Sequence, residues 1–443
     1  MMSYEQRQQH LAQALRNNAG RDIRLSKQTS NLFRNRSTQD QLLDVREFNH
    51  VLAIDPDTRV IETEGMVTYE ALADTALAYG LMPAVVPQLK SITIGGAVGG
   101  IGIESSSFRY GLPHETVLEM DVLLGTGEVI CCTPNNEHRD LFFGLANSYG
   151  TLGYILRLKI QGIPVKPYVR VTHVHCADSQ EFFDRVNEAC QGSFDFVDGV
   201  VFAPGEYYLV LGEFTDDAPY TSDYSYLQIF YRSIRARSED YLSVRDYLWR
   251  WDTDWFWCSK NLYAQNRLIR RLLGRKRLNS ITYQKVMRWN SRVGLTRRLG
   301  TLSRRHREAV IQDVDIPLEN APAFLSFFQR EIGIRPIWIC PARHDGRRGH
   351  YPLFPMRDDT LYINFGFWDA VRTDPMHPQG HFNRMIEEKV TDLGGIKSLY
   401  SESFYPQKEF WELYGGNTCR LLKDRYDPGH ALKDLYQKCV RRQ

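Results

Sequence analysis

Residues 91–111, SITIGGAVGGIGIESSSFRYG, hold six of the 32 glycines of this 443-residue chain. Because glycine lacks a Cβ, the backbone here can approach a ligand closely, and consecutive N–H groups can form a nest for a phosphate. The spacing differs from the G-x-G-x-x-G of a Rossmann site, and no helix is predicted directly after it. The stretch alone fits either a ligand-binding loop or a glycine-rich loop that only packs against its neighbours.

The chain as a whole has the composition of a globular protein of two or three domains. Its net charge of +2 gives no general attraction for nucleic acid. No apolar run is long enough to span a membrane, and residues 1–21 lack the apolar core of a signal peptide. The eight cysteines show neither a CxxC pair nor a Cys/His metal spacing. We therefore expect a cytoplasmic protein with free thiols and no metal site.

Hydrophobic periodicity predicts alternating helices and strands on both sides of a boundary near residue 166, where Pro164 and Pro167 interrupt the pattern. Beyond the boundary, two rounds of strand and helix predict an α+β domain with an antiparallel sheet. The predicted elements are a helix over 4–20, strands 51–54 and 59–64, a helix over 69–79, a hairpin 117–124/128–132, a helix from 139, strands 154–160, 169–174 and 207–214, helices 179–189, 319–331 and 379–392, and strands 335–341, 360–367 and 397–402.

Residues 240–307 differ in composition from both flanks. Tryptophans are dense at 249–257, and residues 267–307 contain 14 Lys or Arg and no Asp or Glu. Such a segment fits a basic amphipathic element at an anionic lipid surface or a solvated basic face. Nucleic acid is a weaker third option, since no recognition fold accompanies it. The tryptophans fit a lipid channel or an ordinary core.

Several motifs together resemble the vanillyl-alcohol-oxidase type of FAD-binding domain, also called PCMH-type. They are PQL at 87–89, the glycine stretch, and DLFFGLANSYGTLGY at 140–154. The GIESSSxxYG part at 102–111 is most similar to the sterol delta-24 reductases (the Diminuto/seladin branch) and their bacterial relatives. PIWICP at 336–341, LYIN at 361–364 and EFWELY at 409–414 support that branch.

The resemblance implies an α+β fold with a two-subdomain FAD-binding domain and a cap domain that contains an antiparallel sheet. The domain limits that it suggests are an N-terminal helix at 1–24, the FAD-binding domain at 25–166, the substrate or cap domain at 167–395 with the basic, Trp-rich insertion at 240–307, and a segment at 396–443 that returns to the flavin domain.

The resemblance also implies FAD as cofactor and NAD(P)H as reductant. The early loop at 26–31 lacks the glycines that many relatives have, so hydroxyls and Lys27 would replace them. That loop has no His or Cys, and His114 is the nearest histidine after the glycine stretch, so non-covalent FAD is expected. The expected cofactor contacts are Ser26, Lys27, Thr29, Ser30, Asn31, Thr93, Ile94, Gly95, Gly96, Gly99, Gly100, Gly102, Glu104, Ser105, Ser106, Gly111, Gly150, Gly153 and Ile155.

An isolated double bond is not electrophilic, so its reduction needs an acid near the flavin and an apolar channel. The candidate catalytic residues are Glu402, Tyr362, Asn364 and His344. The leading hypothesis is a reductase of a lipid C=C bond, in a fatty-acyl phospholipid or a sterol side chain, which residues 267–307 dock at the inner face of a membrane. An FAD-dependent alcohol or sugar oxidase or dehydrogenase is the alternative, and a non-enzymatic lipid-binding protein is a third hypothesis.

Overall fold

Two antiparallel sheets, one in each half of the chain, organise the fold. The computed structural model describes residues 2–17, 23–30, 32–33, 41–293 and 306–442. The α+β class and the antiparallel cap sheet expected from the sequence are confirmed. The predicted residue Asn31 and part of the basic segment lie outside the described residues.

The first sheet has six strands in the order β3-β4-β8-β6-β7, and β5 also pairs with β8. Tyr154–Pro164 is its central strand, and Leu156, Leu158 and Ile160 are buried along it, as the alternation predicted. A separate parallel pair, β1 and β2, precedes the sheet. The strands are β1 Ile23–Ser26, β2 Gln41–Asp44, β3 Val51–Asp55, β4 Val60–Glu64, β5 Leu81–Pro83, β6 Val117–Leu123, β7 Val129–Cys132 and β8 Tyr154–Pro164.

The second sheet has eight strands in the order β12-β9-β11-β10-β14-β15-β13-β16. The chain passes from the first sheet to the second between Pro164 and Tyr168. The predicted domain limits themselves stay predictions. The strands are β9 Tyr168–Cys176, β10 Phe196–Ala203, β11 Glu206–Thr215, β12 Glu239–Ser243, β13 Arg307–Pro317, β14 Ile337–Arg343, β15 Leu361–Arg372 and β16 Ile396–Lys397.

The structure describes fifteen α-helices, and the six helices predicted from the sequence are among them, with ends that differ by a few residues. The fifteen helices are α1 Tyr4–Arg16, α2 Tyr69–Leu77, α3 Ile94–Gly100, α4 Ser107–Tyr110, α5 Arg139–Gly144, α6 Ser179–Gln191, α7 Phe230–Ser233, α8 Val244–Leu248, α9 Arg267–Leu273, α10 Ser280–Val293, α11 Ala321–Glu331, α12 His381–Asp392, α13 Gln407–Leu413, α14 Gly416–Tyr426 and α15 Leu435–Cys439. Short 3₁₀ turns occur at Pro113–Thr116, Cys258–Leu262, Arg275–Arg277, Leu318–Asn320 and Gly346–Arg348.

Three sequence expectations needed correction. The strand expected over 397–402 is only the two-residue β16. The long strand β13 and the strand β10 were not predicted. The pattern missed β13 because two of its inner-face positions are the half-buried Asp313 and the buried Asp315, which a hydrophobic period counts as exposed.

The two faces of the second sheet have different partners. Helices α6, α11 and α12 cover one face, where Phe182, Phe324 and Ile386 pack in one cluster with strand residues such as Phe365. The other, inner face carries Trp338 and belongs to the large core that also includes the first sheet. The inner face is therefore where the two halves of the protein meet.

A buried arginine connects the two halves. Arg250 lies in the Trp-rich segment and donates to Asp198 of β10 at 2.9 Å and to Glu104 of the glycine stretch at 3.2 Å. Its guanidinium carbon lies 4.0 Å from the centre of the Tyr247 ring. Trp338 donates its indole N–H to Asp198 at 3.0 Å. Because two buried carboxylates share one cation here, desolvation prevails over the charge of Arg250 and raises the pKa of Asp198 to about 6.

The Arg250→Leu variant should lose about 3–5 kcal/mol of unfolding free energy at pH 8, because Asp198 and Glu104 would lose their cation. Denaturant unfolding measures this loss. The loss of unfolding free energy should be smaller at pH 5.5, since protonation of the buried Asp198 removes its unpaired charge. As the pH rises, Asp198 loses this proton and the loss of unfolding free energy grows.

The matched control is Arg235→Leu, which removes an exposed pair with Glu206. It should cost less than about 1 kcal/mol. Equal stabilities of the two variants at pH 8 would contradict the role given to Arg250.

Candidate functional site

A cavity lies between the glycine-rich helix α3 and the inner face of the cap sheet. Its first wall comes from the glycines of α3 and from the loop and strand at 148–155. Its second wall comes from the cap and is largely aromatic, with Trp255, Phe256, Asp313, Trp338, Trp368 and Tyr400. Arg24 and Lys27 near β1 and Lys433 and Lys438 of the C-terminal segment also line it.

The first half of the glycine stretch is a helix, which corrects the expectation of a loop. Thr93 caps α3, since its hydroxyl accepts the N–H of Gly96 at 3.2 Å. An ideal Cβ on Gly95 would lie 2.8 Å from the carbonyl oxygen of Gly65, and one on Gly100 would lie 3.0 Å from the Tyr149 ring. These glycines therefore offset their low helix propensity by letting the helix pack closely against its neighbours.

Gly99 serves a different purpose from these packing glycines. It lines the cavity, and an ideal Cβ there meets nothing within 4 Å. A side chain at this position would project into the cavity without displacing protein atoms. Gly99 keeps the cavity open rather than allowing a tight packing contact.

The loop at 148–153 hydrogen-bonds to the C-terminal end of α3. Tyr149 donates its backbone N–H to the carbonyl of Gly99 and its hydroxyl to the carbonyl of Gly100, both at 2.7 Å. Tyr149 itself has a φ of 50°, and Gly150 follows at 75°. Two consecutive left-handed residues bring the loop back against the helix, which explains a glycine at 150.

Most of the predicted cofactor contacts meet at this cavity. Twelve of them line it, namely Lys27, Thr29, Ser30, Thr93, Gly95, Gly96, Gly99, Gly100, Gly102, Gly150, Gly153 and Ile155. The remaining described ones do not line it. They are Ser26, Ile94, Glu104, Ser105, Ser106 and Gly111.

The residues of the ESSS motif have structural contacts behind the cavity wall. Glu104 accepts from Ser105, from Arg250 and from the cavity-lining Gln88, whose amide is 2.7 Å away. Ser106 donates to the carbonyl of Ala84 at 2.8 Å. The motif thus connects the glycine helix to the cap instead of facing a ligand.

None of the four candidate catalytic side chains lines the cavity. Glu402 pairs with Arg442 at 2.9 Å and keeps 32% of its surface exposed. The Tyr362 hydroxyl accepts the N–H of Arg357, and Asn364 donates to Asp315 at 3.1 Å. These contacts are those of structural side chains.

The two histidines singled out from the sequence are also buried outside the cavity. His344 lies 2.7 Å from Glu115. Burial disfavours its charged form, but the hydrogen bond and charge of Glu115 outweigh burial and raise the pKa of His344. His114 packs against Tyr351, with ring centres 4.3 Å apart, and burial lowers the pKa of His114 to about 4.

The functional residues that the sequence reasoning missed are on the cap wall. Phe256 packs on Trp338 and Trp368 at centroid distances of 5.1 and 4.7 Å, and Phe33 stacks on Trp255 at 5.8 Å. Of the Trp-rich segment, Trp255 and Phe256 face the cavity, whereas Trp249, Trp251 and Trp257 are buried outside its lining. The interpretation as core therefore holds for Trp249, Trp251 and Trp257, and the lipid channel stays a prediction for the two residues that face the cavity.

The residues present fit an FAD. Ser30 and Ser148 line the cavity, and their hydroxyl oxygens are buried without a hydrogen-bond partner among the described residues. Unpaired buried hydroxyls of this kind are those that a polar ligand satisfies. The glycine wall leaves room for a ligand, and the four basic side chains suit its pyrophosphate.

A cluster of possible metal ligands elsewhere has another explanation. Glu119, Asp121 and Cys131 place ligand-type atoms within 4.8 Å of one another. Both carboxylates accept hydrogen bonds from Arg157, at 2.7 Å for the closest contact of each. Their charge is therefore balanced by an arginine on the surface of the first sheet.

Comparison with known proteins defines the class. Residues 5–133 match the family model described as an FAD binding domain. Together with the cavity, this match shows that the protein is an FAD-dependent oxidoreductase with a PCMH-type FAD-binding domain, which confirms the resemblance seen in the sequence.

Similarity to individual proteins extends well beyond that domain. The chain is 26% identical to human Delta(24)-sterol reductase over 402 residues, which cover 88% of this chain and 75% of the relative. It is 24% identical to the Delta(24)-sterol reductase of Arabidopsis thaliana over 435 residues, or 89% and 76% of the two chains. Cytokinin dehydrogenase 10 of Oryza sativa subsp. japonica is 30% identical over 158 residues, or 34% and 28%.

The Gly99→Leu variant should fold and lose FAD, because Gly99 lines the cavity and a Cβ there meets no described atom within 4 Å outside its own helix. Flavin absorbance of the purified variant measures the loss, and its far-UV spectrum reports the fold. The matched control is Gly429→Leu, where a Cβ also meets nothing but the residue is exposed and away from the cavity. A yellow Gly99→Leu protein would place the cofactor elsewhere.

Proposed function

We propose that this protein reduces a carbon–carbon double bond in a lipid, using FAD and NAD(P)H. The observation that carries the proposal is the cap wall of the cavity, where Trp255, Phe256, Trp338 and Trp368 accompany Asp313, the one carboxyl group among the described lining residues. An apolar wall suits a hydrocarbon chain. A sugar or small alcohol would need several hydrogen-bonding side chains on that wall to be recognised.

The relatives support the same chemistry. Delta(24)-sterol reductases of animals and plants match this chain over nearly nine-tenths of its length, including the cap that forms the aromatic wall. The similarity to cytokinin dehydrogenase 10 covers only about a third of the chain. We infer that the substrate is a fatty-acyl phospholipid or a sterol side chain, both of which present an alkene within a long apolar body.

In this proposal, one wall of the cavity binds the cofactor and the other binds the substrate. Bound FAD, once reduced by NAD(P)H, supplies a hydride. The glycines of α3 leave space for the cofactor, and Ser30, Ser148 and Lys27 present polar groups to it. The aromatic side chains of the cap exclude water from the reacting carbons and orient the hydrocarbon chain.

Stopped-flow spectroscopy of the holoenzyme tests the reaction class. NADPH or NADH should bleach the flavin, and an unsaturated lipid should restore the oxidised spectrum without oxygen, with a product two mass units heavier by lipid mass spectrometry. A saturated lipid of the same length is the control. Bleaching by an alcohol or sugar and reoxidation by oxygen would instead identify an oxidase, and a colourless protein that takes up no FAD would identify a non-enzymatic lipid-binding protein.

A basic apolar surface patch suits access to a bilayer. We define the patch as Tyr263, Arg267, Leu268, Arg271, Leu272, Lys276 and Arg277, all exposed, with Leu272 83% and Tyr263 76% exposed. Leu268 and Leu272 lie one turn apart on α9 beside Arg267 and Arg271. Exposed leucines among cations are the pattern of an interfacial helix, so we propose peripheral contact with an anionic membrane at its inner face.

Arg270 is not part of the patch, although the sequence groups it with its neighbours. Its side chain is buried and donates to the carbonyls of Tyr226 and Ala264 at 2.6 and 3.0 Å. No helix in the described part of the chain has the length and apolar character to cross a bilayer. Any membrane contact in this region would therefore be made at the surface.

The Arg267→Glu/Arg271→Glu double variant should bind vesicles that contain anionic phospholipid at least about tenfold more weakly, since each basic residue contributes about 1 kcal/mol near such a surface. Vesicle co-sedimentation measures this at low and high salt. The matched control is Arg170→Glu/Arg185→Glu, which reverses two exposed arginines elsewhere. Unchanged binding of the patch variant would remove the membrane contact from the proposal.

A further inference from the structure

Asp313 is the one carboxyl group among the described cavity-lining residues. It lies in the middle of β13, opposite Gly366 of β15. An ideal Cβ on Gly366 would be 2.7 Å from Asp313 Oδ1 and 2.8 Å from the Trp368 ring. The carboxyl group therefore occupies the space that a missing side chain leaves between two aromatic residues of the wall.

Tyr400 lies beside this carboxyl group. Its hydroxyl accepts the indole N–H of Trp368 at 3.2 Å, and its interaction with Asp313 lowers the pKa of that carboxyl group. Asp313 Oδ1 is buried and has no hydrogen-bond partner among the described residues. A carboxyl oxygen without such a partner thus lies on a residue of the cavity wall.

We propose that Asp313, positioned by Tyr400, is the proton donor to the double bond, an inference that rests on the proposed function. The Asp313 O–H bond breaks and its proton forms one new C–H bond with the π electron pair of the alkene. The hydride that NAD(P)H supplies through the flavin forms the second C–H bond, so NAD(P)H is oxidised and the alkene is reduced. The Asp313 carboxylate recovers its proton from water.

The surroundings of Asp313 favour the acid form near neutral pH. Burial is the largest effect on the pKa of Asp313 and raises it, Tyr400 lowers it and the charge of Asp315 raises it, with a net pKa of about 7. A donor must be protonated to act, so proton transfer should decline as the pH rises through about 7.

Other charged groups near β13 have partners of their own. On its inner side or across the cavity, three aspartates have side-chain partners, namely Asp315 with Asn364, Asp198 with Arg250 and Asp369 with Lys260. Tyr149 lies near Tyr400, and the basic residues Arg24, Lys27, Lys433 and Lys438 line the cavity. On the helix-covered side, Glu387 and Lys397 pair with each other.

Asp313→Asn tests the donor directly, because an amide keeps the shape and cannot supply the proton. Single-turnover reoxidation of the NADPH-reduced enzyme is followed with two probes, dioleoyl phospholipid vesicles and a sterol with a Δ24 double bond. The variant should reduce its flavin with NADPH at the normal rate and lose at least about a hundredfold in reoxidation by lipid.

The matched control is Asp315→Asn, two residues along the same face. It does not line the cavity, and its amide oxygen can still accept from Asn364. It should keep reoxidation within about threefold of the wild-type rate. Equal loss in both variants would indicate a general effect on the sheet and overturn the assignment of Asp313.

The Tyr400→Phe variant tests whether the Tyr400 hydroxyl acts on Asp313 or whether Tyr400 only packs in the cavity wall. Removing the interaction that lowers the pKa of Asp313 should move the pH midpoint of reoxidation upward, with the rate at pH 6 largely kept. A fall in rate at every pH with an unmoved midpoint would show that Tyr400 has only a packing role.

An infrared titration gives a readout that does not depend on turnover. Protonated-carboxyl bands that titrate near neutral pH are expected from both Asp313 and Asp315. The difference spectrum between wild type and Asp313→Asn should isolate the Asp313 band, and this band should persist in Asp315→Asn. Its absence in wild type would overturn the donor assignment. If wild type shows this band but neither lipid probe reoxidises the reduced enzyme, the donor group exists and the proposed function fails instead.

Discussion

The ion pair of Arg250 with Asp198 and Glu104 is the contact on which the rest of the architecture depends. Glu104 follows the glycine helix, Asp198 belongs to the cap sheet, and Arg250 comes from the Trp-rich segment. Buried charge pairs are a poor source of stability but a strong constraint on geometry. Here the constraint places the glycine helix opposite the inner face of the cap sheet, and the cavity is the space that remains between them.

The same contact explains the composition of the GIESSS motif. Ser105 donates to Glu104 at 2.7 Å, and Ser107 accepts the backbone N–H of Glu104 at 3.1 Å. A buried carboxylate needs such donors in addition to its cation. Glu104 and Ser105, which the sequence assigns to cofactor contact, therefore do not face the cavity. They hold the glycine helix and the cap in the positions that form it.

Sequence reasoning predicted the first wall of the site far better than the second. The glycines, Thr93 and the 150–153 loop are contiguous motifs whose residue types already limit what the backbone can do. The second wall brings together Phe33, Phe256, Asp313, Trp338 and Tyr400 from distant parts of the chain. The pairing of β13, β14 and β15 brings Asp313 near Trp338, whereas Phe33, Phe256 and Tyr400 come from segments outside these strands. No local spacing encodes such contacts.

Glu402 and Asp313 show the physical reason for this limit. Both are acidic residues whose burial and partners are not encoded in their local sequence, so the sequence offers no means of separating them. The structure pairs Glu402 with Arg442 near the surface and encloses Asp313 among aromatic rings. Burial and partners, which depend on tertiary contacts, decide which carboxyl group can hold a proton.

The inner face of the cap sheet departs from the usual rule that buried strand positions are apolar. Asp198, Asp313 and Asp315 all point to this face, and desolvation raises the pKa of each. A carboxyl group with a raised pKa in the folded state costs stability as the pH rises above its unfolded value. Val314 and Ile316, on the helix-covered face of the same strand, have ordinary apolar contacts. A strand that is apolar on one face and acidic on the other, at a cost in stability, is expected where the acidic face serves chemistry.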